Sequence, residues 1–195
     1  KGYDAWAREI ASGDWLGKTV FYQAPLYPYF LGAWYAIAGT NLWALRLVQL
    51  TLGATSCVCL AAAGHRFFSQ RVGAIAGLCL ALYPSAIFFD GLVQKTVLDS
   101  FFITLLLLLL SLVTLRPARP IVWLLVGISL ACLALSRENA LVLPVVIVGW
   151  LFVFFREEHW QRRLQWTGLL ILGMALLLLP VAWRNHRVGG GFQLT

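Results

Sequence analysis

Residues 97–115 read VLDSFFITLLLLLLSLVTL, and this stretch indicates the class of fold. It carries one ionisable side chain, Asp99, near its start, and its other residues are apolar or bear hydroxyl groups. About 19 helical residues reach about 28 Å, which matches the roughly 30 Å hydrocarbon core of a bilayer. The stretch is therefore predicted to form a transmembrane helix.

The composition extends this prediction to the whole chain of 195 residues. The chain is 61% hydrophobic and 12% charged, with a mean hydropathy of +0.80. Soluble domains are about 45–50% apolar and about 25% charged. We therefore predict an all-α polytopic membrane protein. Its four cysteines lie inside apolar stretches without the spacing of a zinc site, so they are interpreted as small packing residues.

Six apolar stretches within residues 41–188 are predicted to build a transmembrane bundle. They cover residues 42–64, 72–89, 97–115, 121–136, 140–155 and 166–183. The polar run Arg137-Glu138-Asn139 divides the fourth from the fifth, because a single span needs at most about 25 residues. Residues 189–195 are expected to begin an external segment, with the chain interpreted as a fragment of a longer protein.

Residues 1–40 are predicted to be an external loop with two helices at the membrane surface. Tyr3–Ser12 has an apolar and a charged face, as expected for an amphipathic helix. Pro25–Ala38 is apolar, but its length of about 21 Å is too short for a span. Its tyrosines and tryptophans favour the membrane interface.

The distribution of basic residues predicts the orientation. One set fills the short connecting loops: Arg66, Arg71, Arg116, Arg119, Arg156, Arg162 and Arg163. The positive-inside rule places these loops in the cytoplasm, and residues 1–40 then lie on the outer side of the membrane. The net charge of +7 alternates with apolar spans instead of forming one stripe, so nucleic acid is not an expected partner.

Four cations lie at the predicted outer ends of the spans: Arg46, Lys95, Arg137 and Arg184. A charge near lipid is costly, and such residues mark functional sites by default. The set predicts an anionic ligand, because arginine and lysine donate charge-assisted hydrogen bonds to phosphate. Asp99, four residues after Lys95, and Glu138 are candidates for a base or metal ligand. The alternatives are side chains that reach to lipid headgroups, an i,i+4 pair of Lys95 with Asp99, and a satisfied turn of Arg137 with Glu138.

Several segments resemble one family of membrane enzymes. Residues 3–15 (YDAWAREIASGDW) and 21–32 (FYQAPLYPYFLG) resemble the first external loop of C-type (GT-C) glycosyltransferases. The resemblance is to bacterial relatives of the dolichyl-phosphate-mannose protein mannosyltransferases and the aminoarabinose transferase. Shorter segments add to it: residues 44–47 (ALRL), 66–68 (RFF), 136–140 (SRENA) and 180–185 (PVAWRN).

The resemblance implies an inverting glycosyltransferase of a bacterial inner membrane, with its active site facing the periplasm. Its donor is a polyprenyl-phosphate sugar, and its acceptor is a protein, a lipid or a glycan. It also implies a carboxylate base in the first external loop, either Asp4 or an acid that precedes Lys1. The four cations are then expected to hold the donor phosphate, with Gln23, Asp99, Glu138 and Asn185 in support. Use of a divalent metal ion stays open, since Gln23 stands where some relatives carry an acid or a histidine.

Two other classes of function stay open from the residues alone. A transporter or flippase of an anionic lipid or solute would also gather cations. Transporters usually bind near the membrane midplane between internal repeats, and this chain shows no repeat. A polymerase or ligase of lipid-linked glycans would use the same donor chemistry with a glycan acceptor.

Overall fold

The computed structural model describes residues 2–17, 21, 23–114 and 119–189. Across these ranges the chain is helical and contains no β-strand. The helices are α1 (Tyr3–Ala11), α2 (Leu26–Ala38), α3 (Leu42–Phe67), α4 (Gln70–Ala81), α5 (Pro84–Asp90), α6 (Thr96–Val113), α7 (Pro120–Ser136), α8 (Leu143–Phe154) and α9 (Trp160–Arg187). A 3-10 turn, Glu138–Val142, leads into α8. The predicted all-α membrane fold is confirmed, while Arg116 and the predicted external residues 190–195 lie outside the described ranges.

The described helices include three that are long and apolar enough to cross a membrane, namely α3, α6 and α9. The pair α4 and α5 makes a fourth if the two are taken as one broken span. The segments Pro120–Ser136 and Glu138–Phe154 are shorter apolar helices. The sequence predicts six spans, and the difference arises because a helix of about 17 residues reaches only about 26 Å.

The second predicted span, residues 72–89, is not one straight helix. It is divided into α4 and α5, whose axes are bent by 56° at the break. Pro84 begins α5 and explains the break. A proline has no N–H to donate and its ring clashes with the carbonyl four residues earlier, so it is tolerated in the first turn of a new helix.

Small residues let the long helices approach closely. A Cβ atom added to Gly127 of α7 would collide with the Leu170 carbonyl of α9, and one added to Gly173 would collide with the Leu124 carbonyl. Helices in lipid associate by such close van der Waals packing, because lipid tails leave little hydrophobic driving force. These contacts make α7 and α9 one tightly packed pair.

The helices α1 and α2 cover the end of the bundle where α3 and α6 begin and where α7 and α9 end. This end is called the cleft end. Tyr27 and Leu31 of α2 are fully buried against Leu45 of α3 and Val97 of α6. Ile10 of α1 packs directly over Gly32 of α2, so the two short helices form one layer. This layer places the N-terminal segment beside the polar ends of α6 and α7.

Candidate functional site

A polar cleft of about 340 Å³ opens at the cleft end of the bundle. It is lined by Tyr3, Gln23, Ala24, Lys95, Arg137, Glu138 and Asn139. These residues come from α1, from the segment before α2, from the start of α6 and from the turn after α7. The fold therefore brings together two of the four predicted phosphate-binding cations, Lys95 and Arg137.

Asp99 anchors the arginine of the cleft. Its carboxylate accepts a hydrogen bond from Arg137 Nε at 2.5 Å and a second, short one from Ser136 Oγ. Asp99 is only 8% exposed, whereas the Arg137 side chain is 58% exposed. Arg137 also lines the cleft, so the buried acid holds its guanidinium at the cleft wall.

Lys95 is held by the same stretch of α7. Its ammonium donates to the Ser136 carbonyl at 2.7 Å. Ser136 thus contacts both sides of the site, with its hydroxyl on Asp99 and its carbonyl on Lys95. An ammonium has three N–H donors, so two remain for a ligand.

The i,i+4 pairing of Lys95 with Asp99 considered from the sequence does not describe this geometry. Each residue instead makes its contact with α7, Lys95 through the Ser136 carbonyl and Asp99 through Arg137. Lys95 lies at the N-cap of α6, where its long side chain extends across to the neighbouring helix. The polar residues of α6 and α7 therefore form one connected group.

Arg184 lies at the cleft end but does not line the polar cleft. Its Nε donates to the Leu16 carbonyl at 2.6 Å, its Nη2 donates to the same oxygen, and its Nη1 donates to Asn185 Oδ1 at 2.9 Å. Its guanidinium also lies 3.8 Å from the centre of the Phe21 ring. Both Arg184 and Asn185 are buried, so the two predicted site residues are joined to each other and to the N-terminal loop.

Beside Arg184 lies an apolar groove of about 310 Å³. It is lined by Trp15, Leu16, Phe21, Pro25, Leu26, Tyr29, Leu135, Pro180, Val181 and Arg184. The groove and the polar cleft are neighbours, since Ala24 lines the cleft and Pro25 the groove, while Arg137 lines the cleft and Leu135 the groove. A polar site and an apolar site therefore adjoin at the cleft end.

Arg46 lies apart from the cleft lining. It begins the second turn of α3, and its guanidinium is 5.4 Å from the centre of the Trp43 ring. An arginine over a tryptophan at a helix end is typical of a membrane interface. The structure therefore does not bring Arg46 together with Lys95 and Arg137.

Asp4 faces α2, next to Tyr3 of the cleft. Its carboxylate accepts hydrogen bonds from Tyr35 Oη at 2.7 Å and from Arg8 Nε at 2.9 Å. The Tyr35 hydrogen bond, together with Arg8, lowers the pKa of Asp4 below its usual range. Burial, together with the hydrogen bond to Asp4, raises the pKa of Tyr35 to about 12. Asp4 is thus an ionised acid that ties α1 to α2.

The comparison with family models supplies the identity of the chain. Residues 22–183 match the model for dolichyl-phosphate-mannose-protein mannosyltransferases. The chain belongs to this family. The comparisons with curated proteins and with solved structures give no match.

Membership in the mannosyltransferase family confirms the predicted resemblance and implies a membrane glycosyltransferase. The family also implies a lipid-phosphate sugar as donor. The matched range contains every residue of the polar cleft except Tyr3, and it includes Arg46. Asp4 lies before the matched range.

The sequence did not single out three residues of this site as functional. Tyr3 and Asn139 line the cleft, and Ser136 joins Lys95 to Asp99. Ser136 precedes the polar run between two apolar stretches and Asn139 ends it, which is the signal that would have found them. Among the described residues no three His, Cys, Asp or Glu side chains gather to hold a metal ion, and metal use stays an untested expectation.

Proposed function

We propose that this mannosyltransferase-family chain transfers a sugar from a polyprenyl-phosphate donor to a hydroxyl acceptor at the outer face of the membrane that it spans. The observation that carries the proposal is the pair Lys95 and Arg137, both fixed by Ser136 and Asp99 and both lining one polar cleft. Preorganised cations are what the site needs to hold an anionic phosphate without reorganising when the bond breaks.

The donor phosphate fits the donors that the cleft offers. Arg137 and Lys95 line it, and each carries N–H donors beyond the one that is bonded to Asp99 or Ser136. Their charge-assisted hydrogen bonds would stabilise the polyprenyl phosphate as it leaves. Arg184, which is bound to Leu16 and Asn185, then supports the neighbouring apolar groove rather than the phosphate.

The isoprenoid chain of the donor fits the apolar groove. A donor that places its phosphate between Lys95 and Arg137 reaches the groove by passing the residue pairs Ala24-Pro25 and Leu135-Ser136. The aromatic and aliphatic lining of the groove suits a hydrocarbon chain. One amphiphilic ligand would thus occupy both adjoining sites.

The transfer itself is a single displacement. The acceptor oxygen forms a bond to the anomeric carbon while the carbon–oxygen bond to the lipid phosphate breaks, and the hydroxyl proton passes to a carboxylate. Asp4 is the candidate of the first external segment, and Glu138 is the carboxylate on the cleft wall. Inversion at the anomeric carbon follows from this mechanism.

The proposal is tested by supplying the full-length protein in lipid nanodiscs with purified polyprenyl-phosphate sugars, mannose first, and following release of polyprenyl phosphate. Lys95→Gln and Arg137→Gln should each lower turnover, while Arg66→Gln, at the opposite end of α3, serves as the matched control. Asp4→Asn and Glu138→Gln test the two candidate bases, and the variant that loses turnover identifies the base. Transport of labelled lipid without donor turnover, or retention of anomeric configuration, contradicts the proposal.

A further inference from the structure

One fully buried polar side chain on α3 has no part in the chemistry described above. Gln49 is 0% exposed and lies in the second turn after Leu42, within a helix long enough to span the membrane. A buried amide is costly unless it is hydrogen-bonded, and in a membrane helix it has no water to turn to. The contacts of Gln49 therefore need an explanation.

Gln49 connects α3 to the turn that precedes α6. Its Nε2 donates to the Leu92 carbonyl at 2.9 Å, and the same oxygen accepts the Gln94 backbone N–H at 2.9 Å. Lys95 follows in the same turn, and its carbonyl accepts the N–H groups of the first turn of α6. The Gln49 amide thus holds the short segment from which the Lys95 side chain extends.

Gln49 also contacts Tyr27, which packs against a residue of the other cleft wall. Its Nε2 lies 3.5 Å from Tyr27 Oη, and the Tyr27 ring packs edge-on against the Tyr3 ring with centroids 5.3 Å apart. Tyr3 and Lys95 both line the polar cleft. One buried amide therefore contacts, at one remove, residues on both sides of the site.

Only the N–H end of the Gln49 amide is hydrogen-bonded among the described residues. Gln49 Oε1 is buried and has no hydrogen-bond partner among the described residues, whereas Nε2 meets two oxygens. An arrangement chosen for stability alone would satisfy both ends of the amide. The geometry points to a requirement for an N–H donor at the Leu92 carbonyl.

We propose that Gln49 is a positioning residue that fixes the Leu92–Lys95 turn and so presents the Lys95 ammonium to the donor phosphate. The inference rests on the proposed function, because it acts through Lys95. Gln49 itself does not touch the ligand. Without the Gln49 amide the turn would lose this contact, and the Lys95 ammonium could move away from the Ser136 carbonyl and out of the cleft.

The test is a double-mutant cycle between Gln49 and Lys95 in the full-length protein, with release of polyprenyl phosphate from polyprenyl-phosphate mannose as the assay. Gln49→Leu should lower kcat/KM about tenfold, the size expected for the loss of one buried hydrogen bond. In a Lys95→Gln background the same change should cost nothing further, because the group it positions is gone.

Two further variants separate positioning from folding. Gln49→Glu keeps the volume and, as the neutral acid that a buried site favours, a donor for Leu92, so it should restore most of the turnover. Thr51→Val is the matched control, because its exposed hydroxyl donates to the Leu47 and Val48 carbonyls of its own helix. Thermal unfolding is measured for every variant.

The outcomes distinguish the two proposals. An equal loss from Gln49→Leu with and without Lys95, or wild-type turnover in Gln49→Leu, overturns the positioning role while the proposed function stands. Equal turnover in the wild type and in Lys95→Gln overturns the role of Lys95 and with it that of Gln49. Wild-type protein without donor turnover overturns the proposed function first.

Discussion

Replacement of Asp99 tests two roles of this residue, one in the stability of the protein and one in the binding of the donor. Asp99→Ala removes the acceptor of Ser136 Oγ, which is fully buried, and the partner of Arg137, which is 58% exposed. A stranded buried hydroxyl costs about 1–3 kcal/mol. The ion pair adds about 1 kcal/mol or less, since the arginine can turn to solvent. The total expected loss is about 1–4 kcal/mol.

Asp99→Asn provides the contrast. The asparagine oxygen can still accept from Ser136 Oγ, so only the charge opposite Arg137 is lost. Its stability loss should be about 1 kcal/mol, well below that of the alanine variant. Both variants should weaken donor binding, because each releases the Arg137 guanidinium from its fixed orientation.

The assay combines unfolding of the detergent-solubilised protein with equilibrium binding of polyprenyl phosphate. The expected pattern is a graded loss of stability, with Asp99→Ala below Asp99→Asn, and a loss of binding in both. If Asp99→Asn destabilises as much as Asp99→Ala, the Ser136 hydrogen bond is not what Asp99 contributes. If binding is unchanged in both, Asp99 does not orient the arginine of the cleft.

Three further predictions concern other parts of the molecule. Gly127→Ala should lower the unfolding temperature by forcing α7 away from α9, whereas Gly149→Ala, where an added Cβ meets open space, should not. The pKa of Asp4 is lowered by its Tyr35 hydrogen bond, so wild-type stability over Asp4→Asn should be present above about pH 4 and vanish as pH falls through the folded-state pKa in acid unfolding curves. Arg46→Gln should leave the KM for the donor unchanged, and a raised KM would place Arg46 in the site.

The helical class of the fold and the turn at Arg137 follow from local sequence. A run as apolar as residues 97–115 is not expected in a soluble protein, so it predicts a membrane helix. Three adjacent polar residues between two apolar stretches predict a break between two helices. The division of α4 from α5 was missed, although Pro84 marks it, because hydropathy alone does not register a missing N–H donor.

The partners within the site were less accessible to sequence reasoning. Lys95 and Asp99 are four residues apart, which favours a pair within one helix, yet both side chains contact α7. Arg184 is an arginine at the same end of the bundle as Arg137, but its guanidinium contacts Leu16, which is far away in sequence. Such choices depend on which helices are neighbours, and periodicity along one helix carries no information about that.

The most direct test of the account is equilibrium binding of polyprenyl phosphate to the full-length protein in nanodiscs, for the wild type, Lys95→Gln, Arg137→Gln and the control Arg66→Gln. A charge-assisted hydrogen bond to phosphate contributes about 1.5–3 kcal/mol, so each cleft variant should raise Kd at least tenfold. Arg66→Gln should bind like the wild type. Unchanged Kd in both cleft variants would contradict the claim that this cleft holds the donor phosphate.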